Sequence, residues 1–194
     1  GALALSGFLL QTFFSNPIAG PYVLGISSGA KMMVALAMII FLKYYTLVSS
    51  YILIIAAFIG SMLSIGFILL LARKIRNMAT LLVGGIMIGY ICSAVTDFVV
   101  TFAEDSDIVN LHGWSQGSFS GMSWSNVKVA ALMVGITLIL TFFLSKPIGA
   151  YQLGEMYAQS MGVNIRVFRV LLILLSSVFS ACVTAFAGPI SFVG

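Results

Sequence analysis

Charge is scarce in this sequence: 7% of its 194 residues are Asp, Glu, Lys or Arg, nine basic and five acidic. Soluble domains carry about 25% charged residues to face water, so a water-soluble fold is excluded. Histidine and cysteine are as sparse. His112 is the single histidine, and Cys92 and Cys182 are the two cysteines. No metal-ligand or disulfide spacing results, and both cysteines lie in apolar runs, where a small buried hydrophobe is the expected role. No G-x-x-x-x-G-K-[ST] stretch occurs, so the chain has no Walker loop to cradle a nucleotide. The net charge of +4 is split among several loops, a pattern of membrane orientation and not of nucleic-acid binding. No alternating β pattern and no low-complexity tract is present.

What the chain has is hydrocarbon. Hydrophobic residues make up 61% of it, and the mean hydropathy is +1.16. These values predict an all-α membrane protein, a polytopic helical bundle. About 20 residues at about 1.5 Å each cross about 30 Å of hydrocarbon. Complete spans are predicted at residues 23–42, 51–71, 80–102, 127–144 and 170–187. Residues 1–14 are apolar and dense in small residues, and read as the end of a further, truncated span. The chain opens on GALALSG and stops at FVG within an apolar run. It therefore reads as a single transmembrane domain, residues 1–194, cut from a longer protein at both ends.

Alternating the loops places Arg73, Lys74, Arg76, Lys146, Arg166 and Arg169 on one side, with Lys31 near it. Lys43, Lys128, Glu104, Asp105 and Asp107 fall on the other. The positive-inside rule makes the first side cytoplasmic. Tyr44 and Tyr45 are expected at interface depth, and residues 103–126 form the longest polar loop, facing outward with Trp114 and Trp124. Lys31 is expected to snorkel to the cytoplasmic interface, and Asp97 to reach the outer one. Neither has an opposite charge at its own depth, which argues against an ion-coupled carrier.

Three stretches stand out. Ser15-Asn16-Pro17-Ile18-Ala19-Gly20-Pro21 carries two prolines that cannot share one helix interior. Gly25-Ile26-Ser27-Ser28-Gly29 matches the nucleophile-elbow pattern G-x-S-x-G, but lacks the strand–turn–helix setting that motif needs. It is expected to be a helix start packed closely on its neighbours, as Gly85 and Gly89 are expected to pack. Residues 145–169 form a polar island in which Pro147 and Gly149 break the preceding span. Beyond them Ala150, Gly154, Ala158 and Gly162 recur every four residues, one stripe on a helix. Spacing leaves two readings of the island: a handle for a soluble partner, or a loop helix lying on its own protein. The first predicts a short helix within residues 151–161, with Gly154 and Ala158 facing away from the chain's core.

Several of these stretches together resemble the ABC importer permeases of iron-siderophore, haem and cobalamin uptake, the FecCD type. The first is GALALSGFLLQTFFSNPIAGPYVLGISSGA, residues 1–30. Trp114 with Gly117-Ser118 and Trp124 is similar to the family's outer-loop signature. Leu153-Gly154-Glu155, Ala158 and Met161-Gly162-Val163 resemble its cytoplasmic coupling segment. Ala187-Gly188-Pro189-Ile190-Ser191-Phe192-Val193-Gly194 is similar to its next motif. Ile18 stands for the usual leucine, Gly20 where an acid is common, and Lys31 where a small residue is usual.

The resemblance implies a ten-helix permease, of which this chain would hold the end of the second helix through the seventh. It implies no enzyme activity and no cofactor on this chain, with ATP and Mg on a partner ATPase. The other implied partners are a periplasmic or lipoprotein substrate-binding protein, a second permease copy, and a metal-chelate cargo crossing a bacterial inner membrane. Gly154, Glu155, Ala158, Met161 and Gly162 would meet the ATPase. Asn16, Pro17 and Ile18, with Asn77 and Met78, would form the cytoplasmic gate. An intramembrane hydrolase and an ion-coupled carrier are the competing readings.

Overall fold

The structure, a computed structural model, describes all residues except 43–49, 76, 121 and 191–194. Lys43, Tyr44, Tyr45, Arg76 and the end of the Ala187–Gly194 motif therefore lie outside the described residues. In chain order the helices are α1 (Ala2–Phe14), α2 (Ile26–Leu42), α3 (Ser50–Lys74), α4 (Met78–Val100), α5 (Asp105–Ser115), α6 (Trp124–Phe143), α7 (Ser145–Gln152), α8 (Glu155–Ser160) and α9 (Ile165–Ala187). A 3₁₀ turn, Pro21–Leu24, precedes α2. The described residues contain no strand.

Among the described residues four helices are long and apolar enough to cross a membrane: α4, α6, α9 and the Tyr51–Ala72 part of α3. The fifth expected span, α2, is a 17-residue helix, about 26 Å at the α-helical rise. The polar loop expected at residues 103–126 holds the 11-residue helix α5. Its Leu111 is buried in a cluster with Ala30, Val34, Ala35, Met38, Ala57 and Ala185, and Trp114 packs against that cluster.

Polar residues start the spans. The side chains of Asn77, Ser123 and Asn164 accept hydrogen bonds from the backbone N–H groups of Ala79, Asn126 and Val167. Each satisfies a donor that the first helical turn leaves unpaired.

Helix α9 runs through the middle of the bundle, packing against α1, α3, α6 and α2, while α2 packs against α3 and α4. Because lipid is as apolar as a leucine side chain, burial of hydrocarbon does not drive these contacts; close approach and interhelical hydrogen bonds do. Ser6 of α1 and Ser176 of α9 are both fully buried. Each hydroxyl donates to the other's carbonyl, at 2.7 and 2.8 Å. Between α2 and α3 the backbones nearly touch: a Cβ on Gly60 would strike the Gly29 carbonyl, and one on Gly29 would strike Ser64 and the Gly60 carbonyl. A Cβ on Gly25 would come within 2.9 Å of the Gly89 nitrogen on α4. The glycines of the G-x-S-x-G stretch are thus helix-packing residues, as expected. Both cysteines are buried and unbridged.

Gly60→Val should overpack the α2–α3 seam at a cost of about 1–3 kcal/mol. Gly66→Val on the same helix meets open space and should be nearly neutral. Thermal unfolding in detergent checks this, and equal melting temperatures for the two variants would refute the seam.

Candidate functional site at the basic end of the bundle

Helix α6 passes into α7 through Leu144 alone, whose carbonyl accepts from the Ile148 N–H at 2.9 Å. The preceding span does end here, as expected: α6 stops at Phe143 and a separate helix, α7, starts at Ser145 with Pro147 and Gly149 inside it. Pro147 is the third residue of that helix, in the first turn, where its missing N–H would have had no intrahelical partner anyway. A second break comes at Gly154, whose φ of +123° is a conformation that L side chains rarely adopt. It ends one helix and starts α8.

The stripe of small residues therefore does not exist as one helix face. Ala150 is on α7, Gly154 lies between the helices, Ala158 is on α8, and Gly162, with φ of +84°, lies in the turn to α9. Ala158 is also not turned outward. It is 0% exposed, in a core cluster with Ile148, Tyr151, Ile165 and Phe168. The expectation that Gly154 and Ala158 face away together is corrected: Gly154 is exposed, whereas Ala158 plugs α8 into the bundle.

Among the exposed polar residues of this segment stand several large apolar side chains. Leu153 is 72% exposed, Met156 86% and Met161 64%, with Tyr157 beside them. Composition hid this surface, because four large residues scattered through a polar island show no period. Beside it, Glu155 forms an ion pair with Arg169 of α9. Lys146 and Arg166 are exposed on neighbouring turns of the same end. An open cleft of about 570 Å³ is lined by Gln159, Val163, Asn164, Ile165, Arg166 and Val167.

The residues expected at the gate lie at this end too. α1 closes on Ser15 in the left-handed region, and the Asn16 side chain accepts from the Ile18 N–H at 3.0 Å. Gln11 donates to the Pro17 carbonyl at 3.0 Å. These bonds fix the loop around Pro17, ahead of the 3₁₀ turn that starts at Pro21, and they leave Ile18 84% exposed. Asn77 is occupied as the α4 cap, and Met78 packs against the cluster that holds Ala19, Tyr151 and Ala158. A link from loop to island runs through α1, where Gln152 donates to Thr12 at 3.5 Å.

The opposite end holds α5, with its acids Asp105 and Asp107 in the first turn. There two motifs distant in sequence meet. The Ser118 N–H donates to the Ala187 carbonyl at 2.7 Å, and Gly117 lies directly against Gly188. His112, exposed on α5, faces Gln116 at 3.1 Å. Ser27 is in the first turn of α2, and α5 packs beside Ala35, Met38 and Ile39 much further along that helix. The elbow serine and the histidine are thus not brought together.

Against known families, residues 1–194 match the FecCD transport family. The chain belongs to that family. This FecCD chain is 35% identical to the hemin transport system permease protein HmuU of Yersinia pestis, over 100% of its own length and 58% of that protein. It is 36% identical to the vitamin B12 import system permease protein BtuC of Vibrio parahaemolyticus, over 100% of itself and 57% of the relative. Thus the chain spans less than two thirds of the length of the curated relatives it matches. A solved structure described as an inward-facing conformation of a metal-chelate type ABC transporter superposes with a TM-score of 0.88 at 26% identity, over 100% of this chain and 60% of that one. With its apolar helices, the family makes this a multi-pass membrane protein.

Ala158→Trp should loosen α8, because the indole has no room at a fully buried position; overpacking costs about 1–3 kcal/mol or more. Met156→Trp, on the exposed side of the same helix, should leave the fold unchanged. Hydrogen exchange across residues 155–163 reads the difference, and equal protection in the two variants would refute the plug.

Proposed function

We propose that this chain forms part of the transmembrane pathway of an ATP-binding-cassette importer, carrying iron-siderophore, haem or cobalamin-type chelates across a bacterial inner membrane. The observation that carries the reading is the exposed apolar patch of Leu153, Met156, Tyr157 and Met161. It lies at the bundle end that also bears Lys146 and Arg166, beyond the hydrophobic spans. Exposed apolar patches of this kind mark interaction surfaces, and we assign this one to a protein partner. The partner is an ATPase subunit that binds ATP and Mg, since this chain has no nucleotide loop of its own. A substrate-binding protein docks at the acidic opposite end, and two permease copies enclose the path.

In this reading Leu153, Gly154, Met156, Met161 and Gly162 touch the ATPase. Ala158 contributes by holding α8 against the core, and Glu155 lies at the edge of the patch. The loop of Asn16, Pro17 and Ile18 narrows the cytoplasmic mouth, with Asn77 and Met78 behind it. Haem and cobalamin import are named for the relatives, and the choice among chelates is open to an uptake panel.

In the whole permease, Met156→Trp should abolish ATP-driven uptake while expression and insertion stay normal. The added ring holds apart two surfaces that must touch. Uptake, ATPase co-purification and membrane yield are measured together, and native uptake in that variant would refute the coupling role.

Ile18→Cys should be modified by polar, membrane-impermeant thiol reagents in at least one nucleotide state. Ile18 is already exposed beside a polar turn, and non-helical backbone at membrane depth is tolerated where water or protein surrounds it. Protection in every state would put the pathway elsewhere.

A further inference from the structure

Glu155 does not point its charge only at a partner. Its Oε1 accepts from the Tyr151 hydroxyl at 3.1 Å and pairs with Arg169 Nη2. Arg169 Nε donates to the same Tyr151 hydroxyl at 3.3 Å. The Tyr151 ring, 6% exposed, lies against Phe168 with centroids 5.2 Å apart. Three side chains from α7, α8 and α9 thus close one ring of hydrogen bonds around the joint at Gly154. That joint would otherwise be the most pliant point between α7 and α8.

We propose that Tyr151, Glu155 and Arg169 form an internal strut that makes α7, α8 and the start of α9 a single rigid body. A displacement imposed on α8 then reaches the central helix undiminished. This inference rests on the importer reading and deepens it, assigning Glu155 and Arg169 as positioning residues and not as partner contacts. The argument is one of geometry over strength. The side chains of Arg169 and Glu155 are 30% and 43% exposed, and ion pairs so exposed add little to stability. A guanidinium fork shared between a carboxylate and a hydroxyl nonetheless fixes direction. Ala158 sets the depth of α8, and the strut sets its angle.

The test uses the whole permease with its ATPase subunits in lipid nanodiscs and proteoliposomes. Cys92 and Cys182 are replaced by alanine, and spin labels are placed at Ser160→Cys on α8 and Arg166→Cys on α9, outside the residues assigned to the ATPase contact. The inter-label distance distribution is expected to be narrow, and the same without nucleotide and with vanadate-trapped nucleotide. Glu155→Gln, which keeps shape and removes charge, should broaden it. ATP hydrolysis should persist while uptake of hemin or cyanocobalamin falls about tenfold, the scale on which such links modulate coupling. The charge exchange Glu155→Arg with Arg169→Glu should narrow the distribution and restore uptake, which a merely structural loss would not do.

An unchanged distribution in Glu155→Gln, a nucleotide-dependent distance in the native pair, or failure of the exchange to restore either readout would overturn the strut. A native permease that co-purifies with no ATPase would overturn the importer reading itself, and the strut with it.

Discussion

The bundle depends on holding α9 at its centre in a solvent that does not push helices together. In water, the apolar stripes of α9 would find partners through the hydrophobic effect. In lipid, leucine gains little by leaving hydrocarbon for protein, so α9 must be retained by geometry and polarity. The reciprocal Ser6–Ser176 bonds supply polarity, at about 0.6 kcal/mol for a typical interhelical bond. The glycine seams of α2 supply geometry, by letting backbones approach until many atoms sit at dispersion distance. The same logic explains why α4 and α6 are largely exposed. Their outward Val, Ile, Leu and Phe residues incur no penalty in lipid, so exposure there is not instability.

Backbone that is not helical is the second constraint, because hydrocarbon offers it no water. At the basic end, Asn16, Gln11 and the left-handed Ser15 satisfy the loop between α1 and the 3₁₀ turn. At the acidic end, the Ser118 to Ala187 bond and the Gly117–Gly188 approach tie the exit of α5 to the exit of α9. The latter brings together two motifs separated by most of the second half of the chain. Each end is therefore a knot between helices that the membrane interior alone would leave free to slide.

The spans were legible because hydrocarbon thickness sets run length, and the family because its motifs occur in order along the whole chain. The helix α5 was not legible. Its residues are mixed in polarity, and only Leu111 and Trp114 turn to the core, too few to show a period. The four-residue stripe misled for a related reason. Spacing of residue types assumes one continuous helix, and Gly154 at φ +123° voids that assumption at the second member. Pro147 did not mislead: a proline fits the first turn of a new helix and cannot extend the one before it, and α6 ends just ahead of it. Glu155 and Arg169 are 14 residues apart across the α8–α9 turn, a separation at which nothing in sequence announces a pair.

Transmission through the molecule follows from which contacts are stiff. The island touches α1 through Gln152 and Thr12, a bond at the edge of useful length that constrains little on its own. The apolar cluster that holds Phe13, Phe14, Tyr151, Ala158 and Phe168 is stiffer, because close-packed interiors shift between discrete arrangements and do not deform smoothly. α1 carries the Asn16–Ile18 loop at its end and is held to α9 by the buried serine pair. Movement of α9 along its axis must therefore either drag that loop or break the serines' reciprocal bonds within a dry interior. Dragging is the less costly outcome. In the importer reading, the loop at the cytoplasmic mouth is driven from the bundle's centre, and the thin contact at Gln152 serves only to keep register.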